Sequence, residues 1–160
     1  MSYYQNKFTP KKPMRSFRDL EVYSRTLECA VVIASSVRNM APEFLHNEGM
    51  TNCALSIPLW IAEAHSLRFG NKKESIVLLE KAMAGCNKIV VYLEEVMGIY
   101  GGMNTQNMGK KEKGKGGNHL KLNADLIDEI IRKYIDTRGK IFRLEKSWQK
   151  WDKEDAVRRM

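Results

Sequence analysis

The sequence of 160 residues is poor in the patterns that support metal binding or a disulfide framework. Its three cysteines, Cys29, Cys53 and Cys86, are odd in number, far apart and surrounded by aliphatic residues. No Cys-x-x-Cys pair occurs, whereas structural metal sites have clustered thiolate ligands. We therefore interpret these cysteines as reduced thiols that fill the core as small hydrophobic side chains.

Long hydrophobic runs are also missing. No apolar stretch approaches the roughly 20 residues that a helix needs to cross a bilayer. Residues 1–17 include basic side chains, but no continuous apolar segment and no small-residue cleavage site follows them, as a secretory signal would require. These absences predict a soluble, cytoplasmic protein.

The motifs of common enzymes and cofactor sites are missing too. Residues 109–115 contain glycines and lysines, but not the Gly-Lys-Ser/Thr ending or the strand-to-helix context of a phosphate loop. A single Glu-x-x-His pair, Glu43 and His46, occurs where a di-iron bundle needs two. No set of residues resembles a catalytic triad. We predict that the chain is not an enzyme and holds no metal or cofactor.

What the sequence does contain is helical periodicity. In residues 76–97, apolar side chains recur at spacings of three and four, which keeps them on one side of a helix. A second apolar register runs beside the first and makes the apolar arc wider than one neighbouring helix needs. Trp60 is out of step with the apolar residues of its own helix, and large aromatic residues are enriched where subunits meet. The predicted subunit interface therefore consists of Trp60, Leu78, Ala82, Ile89, Tyr92 and Val96.

Four stretches have helical periodicity, and β-type alternation of useful length is absent. The first opens at Ser16, which forms a capping-box variant with Asp19. The second runs from about residue 44 to residue 67 around Pro58, where we expect a kink because proline removes a backbone donor. The third and fourth begin near residues 71 and 123. In the first stretch the residues that follow the helical period are Phe17, Leu20, Leu27, Val31, Ala34 and Val37.

Together these stretches predict an all-α, antiparallel, up-down-up-down four-helix bundle that assembles as a homo-oligomer. The bundle is expected at residues 16–151, after a flexible basic arm at residues 1–15 and before a charged tail at residues 152–160. A loop rich in glycine and lysine, residues 98–119, separates the third helix from the fourth.

The net charge of +8 and the pI near 9.4 favour polyanionic partners, because neutralising phosphates releases condensed counterions. Most of the excess lies in the arm and the loop, whereas the third helix carries balanced charges. Composition alone leaves open the alternative that these lysines only keep an oligomer in solution. The predicted nucleic-acid-binding residues are Lys7, Lys11, Lys12, Arg15, Arg18, Lys110, Lys111, Lys113 and Lys115.

Three further side chains have two interpretations each. Trp148 and Trp151 have the flat rings that single-strand binders stack on bases, but they continue the apolar heptad, which favours packing at the end of the bundle. Glu63 follows Ile61 and Ala62 on a largely apolar helix, where an unpaired carboxylate is costly. We predict that Glu63 forms a structural ion pair, and its candidate partners are Arg25, Arg38 and Arg68.

Three motifs resemble a known family. They are SFRDLEVY at residues 16–23, SIPLWIAEA at residues 56–64 and YLEE at residues 92–95. These runs are similar to the four-helix-bundle proteins encoded in 23S ribosomal RNA intervening sequences, a family that includes the accessory variability determinant proteins of diversity-generating retroelements. Residues 16–97 carry the likeness well, and the last helix carries it loosely.

The resemblance implies a homopentameric barrel of four-helix bundles with basic surfaces and no enzymatic activity. In the retroelement branch it also implies binding to RNA, or an RNA–DNA intermediate, and to a reverse transcriptase. Our leading hypothesis is accordingly an oligomeric accessory protein that binds nucleic acid through its basic segments. The alternative is a structural or interaction protein, tied to an rRNA intervening sequence, that binds no nucleic acid.

Overall fold

The computed structural model describes residues 14–37, 45–100 and 124–160. Within these ranges the chain forms a short 3-10 turn and four α-helices, and no strand. The 3-10 turn is Phe17–Asp19, and the helices are α1 (Glu21–Val37), α2 (Asn47–Leu67), α3 (Lys72–Tyr100) and α4 (Ala124–Arg158). The all-α class and the four helical stretches predicted from periodicity are confirmed over this part of the chain.

The N-terminal cap begins a turn rather than the first helix. The side chain of Ser16 accepts a hydrogen bond from the Arg18 backbone N–H at 3.3 Å, and Asp19 Oδ2 accepts from the Ser16 N–H at 3.1 Å. Leu20 then adopts an extended backbone (φ −76°, ψ 119°), which interrupts the helical hydrogen bonding and buries its side chain. The capping box is therefore present, but α1 starts one turn later than the sequence predicts.

The join between α2 and α3 is fixed by two side-chain hydrogen bonds. Asn71 Oδ1 accepts from the Glu74 N–H at 3.3 Å, as the capping pattern predicts. Ser75 is buried, and its Oγ donates to the Ala64 carbonyl at 2.7 Å. α2 itself continues through the buried Pro58 as one helix.

The helices pack in a cycle. α1 packs on α2, α2 on α3, α3 on α4, and α4 on α1. A Cβ added to Gly85 would lie 2.9 Å from Ile57, and one added to Gly49 would lie 3.0 Å from the Tyr92 hydroxyl. The hydrogen bond between Ser75 and Ala64 is a third contact between these helices. Taken in order along α3, the three contacts meet successively earlier residues of α2.

Ion pairs line the contact between α1 and α4. Lys140 Nζ lies 2.6 Å from Glu21 Oε1, and Arg25 pairs with both Glu21 and Asp136. A longer contact of 3.6 Å joins Lys133 to Glu28. These groups are largely solvated, so the pairs add little to stability and mainly set the register of the two helices.

α4 continues further than the sequence predicts. It extends as a helix to Arg158 and is about 50 Å long at 1.5 Å per residue. The segment predicted as a charged tail, residues 152–160, is therefore helical as far as Arg158.

The core contains aliphatic side chains from all four helices, and the three cysteines are buried and unpaired as predicted. The apolar register of α1 differs from the predicted one. Leu27 and Val31 are exposed, while Thr26 and Ser36 are buried in their place. Thr26 is tolerated inside because its hydroxyl donates to the Val22 carbonyl at 2.8 Å. No helix in the described ranges combines the length and the apolar character that spanning a bilayer requires.

Candidate interaction surfaces

Two of the predicted nucleic-acid-binding residues lie in the described part of the chain. Arg15 and Arg18 are both exposed beside the N-terminal turn, where the Arg15 backbone N–H donates to Asp19 Oδ2 at 3.1 Å. The lysines predicted in the arm and the loop lie outside the described residues, and their role stays a prediction; they are Lys7, Lys11, Lys12, Lys110, Lys111, Lys113 and Lys115.

Charge is distributed unevenly between the helices and the rest of the sequence. The described ranges carry nearly equal numbers of acidic and basic residues. Almost all of the net charge of +8 therefore belongs to residues 1–13 and 101–123. On α1 and α4 much of the charge is already paired across the helix contact. The helical bundle by itself is nearly neutral.

Four of the six predicted interface residues are buried inside the chain. Leu78 and Val96 are almost fully buried, and Ala82 and Ile89 have no exposed surface. The reason is that α3 packs on both α2 and α4, so two apolar registers are needed within one copy. The wide apolar arc of α3 is thus explained by the core, and assigning these four side chains to a subunit interface is corrected.

The other two predicted interface residues, Trp60 and Tyr92, are half-buried at the contact between α2 and α3. The Lys81 ammonium lies 4.8 Å from the centroid of a Trp60 ring, and Gly85 lies beneath the indole. Tyr92 covers Gly49, and its ring centroid is 5.8 Å from that of His46. Both side chains pack in the contact between α2 and α3. Because each is also partly exposed, their role in a subunit interface stays a prediction.

A different surface has the composition of an interface. Residues 29–37 of α1 and 49–62 of α2 contain no charged residue. On each of these two adjacent helices aliphatic side chains are exposed at four-residue spacing, Leu27 with Val31 on α1 and Leu55 with Leu59 on α2. Leu27 lies just before the charge-free segment of α1. Leu59 is 68% exposed. The sequence signal was the absence of charge on both segments, which the periodicity argument did not use.

The carboxylate predicted to be buried and the one that is buried are different residues. Glu63 is exposed; Arg25 pairs with Glu21 and Asp136, and Arg68 contacts His65. Neither arginine forms the predicted ion pair with Glu63. The Glu63 carboxylate is solvated and therefore needs no partner. The third candidate, Arg38, lies outside the described residues.

Among the side chains that the structure describes, the buried carboxylate is that of Glu145 on α4, with 4% of its surface exposed. Its Oε1 accepts a hydrogen bond from Gln149 Nε2 at 3.3 Å. Burial raises the pKa of Glu145, the Glu80 carboxylate raises it further, and Lys146 opposes the rise. Glu145 lies four residues after the core residue Ile141 and three before Trp148, and this spacing was the signal that sequence reasoning missed.

The aromatic residues at the end of α4 have different environments. Trp148 is half-buried against the core, with its ring 6.3 Å from the buried His65. Trp151 is 66% exposed, so the interpretation that it packs at the bundle end is wrong. Burial lowers the pKa of His65, and the nearby Arg68 charge lowers it further, so His65 is neutral at pH 7.

The buried thiols are poor nucleophiles. Burial raises the pKa of Cys29 to about 11 and that of Cys86 to about 12, and it raises the pKa of Cys53 as well. Thiolates, rather than thiols, attack electrophiles and bind metals. Among the described residues no cluster of histidine, cysteine or carboxylate side chains is suited to hold a metal ion.

Comparisons of the chain with protein-family models, with curated proteins and with solved structures find no match. The resemblance to the rRNA-intervening-sequence family therefore rests on the three motifs at residues 16–23, 56–64 and 92–95.

Proposed function

We propose that the chain is a non-enzymatic accessory protein that self-associates and binds RNA, or an RNA–DNA intermediate, through the basic segments that include residues 1–13 and 101–123. The family resemblance adds a homopentameric assembly and a reverse transcriptase of a diversity-generating retroelement as the protein partner. The contacts between α2 and α3 run in opposite sequence order along the two helices, which supports an antiparallel up-down-up-down bundle as the scaffold.

The uneven distribution of charge carries the nucleic-acid part of the proposal. The helices pair or balance their charges, so they add little net attraction for a polyanion. Residues 1–13 and 101–123 hold almost all of the net positive charge and have few acidic residues to compete for it. Lysines in such segments neutralise phosphates without a sequence requirement, which gives salt-sensitive affinity.

The exposed aliphatic residues of α1 and α2 support self-association. Val31, Leu55 and Leu59 lie in the charge-free segments of these helices, and charged residues are depleted in the centres of interfaces. This surface replaces the buried register of α3 as the proposed subunit contact. Its four exposed aliphatic residues are Leu27, Val31, Leu55 and Leu59.

A salt series tests the nucleic-acid proposal against the alternative of a structural protein that binds no nucleic acid. Affinity of the full chain for a fluorescent 20-nucleotide single-stranded RNA is measured by anisotropy from 50 to 300 mM salt. We expect affinity to fall steeply, because each neutralised phosphate adds about −0.7 to the slope of log K against log salt. An absence of binding at 50 mM salt would favour the alternative.

Two variants with equal charge change locate the contacts. The first replaces the four loop lysines, Lys110, Lys111, Lys113 and Lys115, with glutamine. The second replaces four exposed basic residues of α3 and α4, Lys81, Lys88, Arg132 and Arg138, with glutamine. We expect the first variant to lower the slope by about 3 and the second to leave it nearly unchanged. Equal losses would show that only total charge matters.

A further inference from the structure

One end of the bundle presents aromatic rings to solvent. Among the side chains that the structure describes, Phe69 and Trp151 are the most exposed aromatic residues, at 88% and 66%. Large aromatic side chains stabilise a protein when they are buried, so two rings left in water at one end are available to a partner.

Several contacts place the two rings at the same end. Phe69 lies in the turn after α2, four residues beyond His65, and His65 contacts the Trp148 ring. Along α4, Lys140 pairs with Glu21 near the start of α1, and Trp148, eight residues later, meets His65 near the end of α2. The C-terminal part of α4 therefore lies at the same end of the bundle as the end of α2. Trp151 lies about one turn further along α4 than Trp148 and is exposed.

Positive charge lies beside these rings. The Arg68 guanidinium is 4.3 Å from the Phe69 ring centroid, and the Arg68 side chain is held by the His65 carbonyl and by His65 Nδ1 at 3.1 Å. Lys73 of α3 and Lys150 of α4 are both exposed near the rings in sequence. Acidic residues follow Trp151 in the sequence, so charge alone does not distinguish this end, and the aromatic surface does.

We propose that Phe69 and Trp151 form a stacking surface for the bases of single-stranded RNA. Bases stack on exposed aromatic rings without regard to sequence, and cations beside the rings receive the phosphates between them. The fixed Arg68 holds the Phe69 ring on one side and leaves its other side to a base. This inference rests on the proposed function, to which it adds a preference for unpaired bases and a defined place of contact.

The test uses the full chain with Phe69→Ala, Trp151→Ala and a matched control, Phe142→Ala. Phe142 is also a partly exposed aromatic residue with a cation over its ring, the Lys146 ammonium at 5.1 Å, but it lies further back on α4. Affinities for a 20-nucleotide poly-uridine RNA and for an RNA duplex of equal length are measured by anisotropy. Light scattering of each variant records the assembly state.

We expect Phe69→Ala and Trp151→Ala each to weaken binding of the single strand about 5-fold to 150-fold, as the loss of one stacked base does. Binding of the duplex and the slope against salt should stay as in the wild type, because phosphate contacts are unchanged. The Phe142→Ala variant and a Trp151→Phe variant should bind the single strand almost as the wild type does.

The outcomes separate this inference from the proposed function. Wild-type affinity of both alanine variants for the single strand would overturn the stacking surface and leave the proposed function standing. Loss of assembly in these variants without loss of RNA binding would also overturn it, since the rings would then be subunit contacts. Failure of the wild-type chain to bind any RNA would overturn both.

Discussion

Trp60 closes over Gly85 so tightly that a Cβ at position 85 would lie 3.1 Å from a carbon of the indole ring. The same added atom would lie 2.9 Å from Ile57. The Gly85 backbone is thus covered directly by the α2 side chains of Ile57 and Trp60, and the Cys53 thiol donates to the Gly85 carbonyl at 3.7 Å. Glycine is required at this position by packing between helices.

Replacing Gly85 with alanine should destabilise the chain by about 1 kcal/mol. Alanine favours a helix by up to ~1 kcal/mol over glycine, but forcing a methyl group into a filled core costs about 1 to 3 kcal/mol. Gly139→Ala on α4 is the control, because a Cβ there meets nothing within 4 Å. The free energy of unfolding of the Gly139→Ala variant, measured by urea titration, should rise by up to ~1 kcal/mol. A Gly85→Ala variant as stable as Gly139→Ala would contradict the close packing.

Replacing Tyr134 with phenylalanine should leave stability unchanged or raise it by about 1 to 3 kcal/mol. Tyr134 is 1% exposed, and its hydroxyl finds no hydrogen-bond partner among the described residues. Burial also raises the pKa of Tyr134, which keeps the phenol protonated. A buried hydroxyl without a partner costs about 1 to 3 kcal/mol of desolvation, and phenylalanine removes that cost while keeping the ring.

The control for Tyr134 is Ser75→Ala, whose hydroxyl does have a partner in the Ala64 carbonyl. That variant should lose about 1 kcal/mol by the same urea titration. If Tyr134→Phe were destabilised as much as Ser75→Ala, the tyrosine hydroxyl would have to be bonded in solution.

The helices were predictable from sequence because the responsible signals are local, although α1 starts one turn after its predicted cap. The capping pairs Ser16 with Asp19 and Asn71 with Glu74 act over three residues, and both are formed. Helical periodicity also acts within one helix, so the number and type of elements in the described ranges followed from it.

The choice of buried face was not predictable, since it depends on neighbouring helices. α1 has apolar residues on two sides, and the core accepts the side with Thr26 because that hydroxyl bonds within its own helix. The two registers of α3 are both buried because two helices flank it. For the same reason sequence could not decide between Glu63 and Glu145, whose burial is set by the residues opposite them.

Replacing Glu145 with glutamine should stabilise the chain at pH 7 and have little effect at about pH 4. The pKa of Glu145 is raised in the folded state, first by burial and then by Glu80, so the folded chain holds this proton to a higher pH than the unfolded chain does. Stability is therefore lost as pH rises from about 4.5 through the raised pKa. Glutamine carries no charge and still accepts from Gln149.

Thermal unfolding of wild type and Glu145→Gln at several pH values between 4 and 8 measures this difference, and Glu63→Gln serves as the control. Glu63 is exposed on α2, so its replacement should leave the midpoint unchanged throughout. A constant difference between Glu145→Gln and wild type across the range would mean that the carboxylate is not desolvated in solution.

Replacing Leu55 and Leu59 together with glutamine should disrupt self-association while the chain stays folded. Both side chains are exposed in the charge-free segment 49–62 of α2, so they contribute little to the core but would be desolvated between copies. The matched control is Val77→Gln with Val91→Gln, which removes two aliphatic side chains of similar exposure from the charged helix α3. Light scattering at micromolar concentration should give a smaller particle for the α2 variant and the wild-type particle for the α3 variant, with helical circular dichroism retained in both. A single-copy wild-type particle would refute self-association, and dissociation of the α3 variant alone would move the contact to the other side of the bundle.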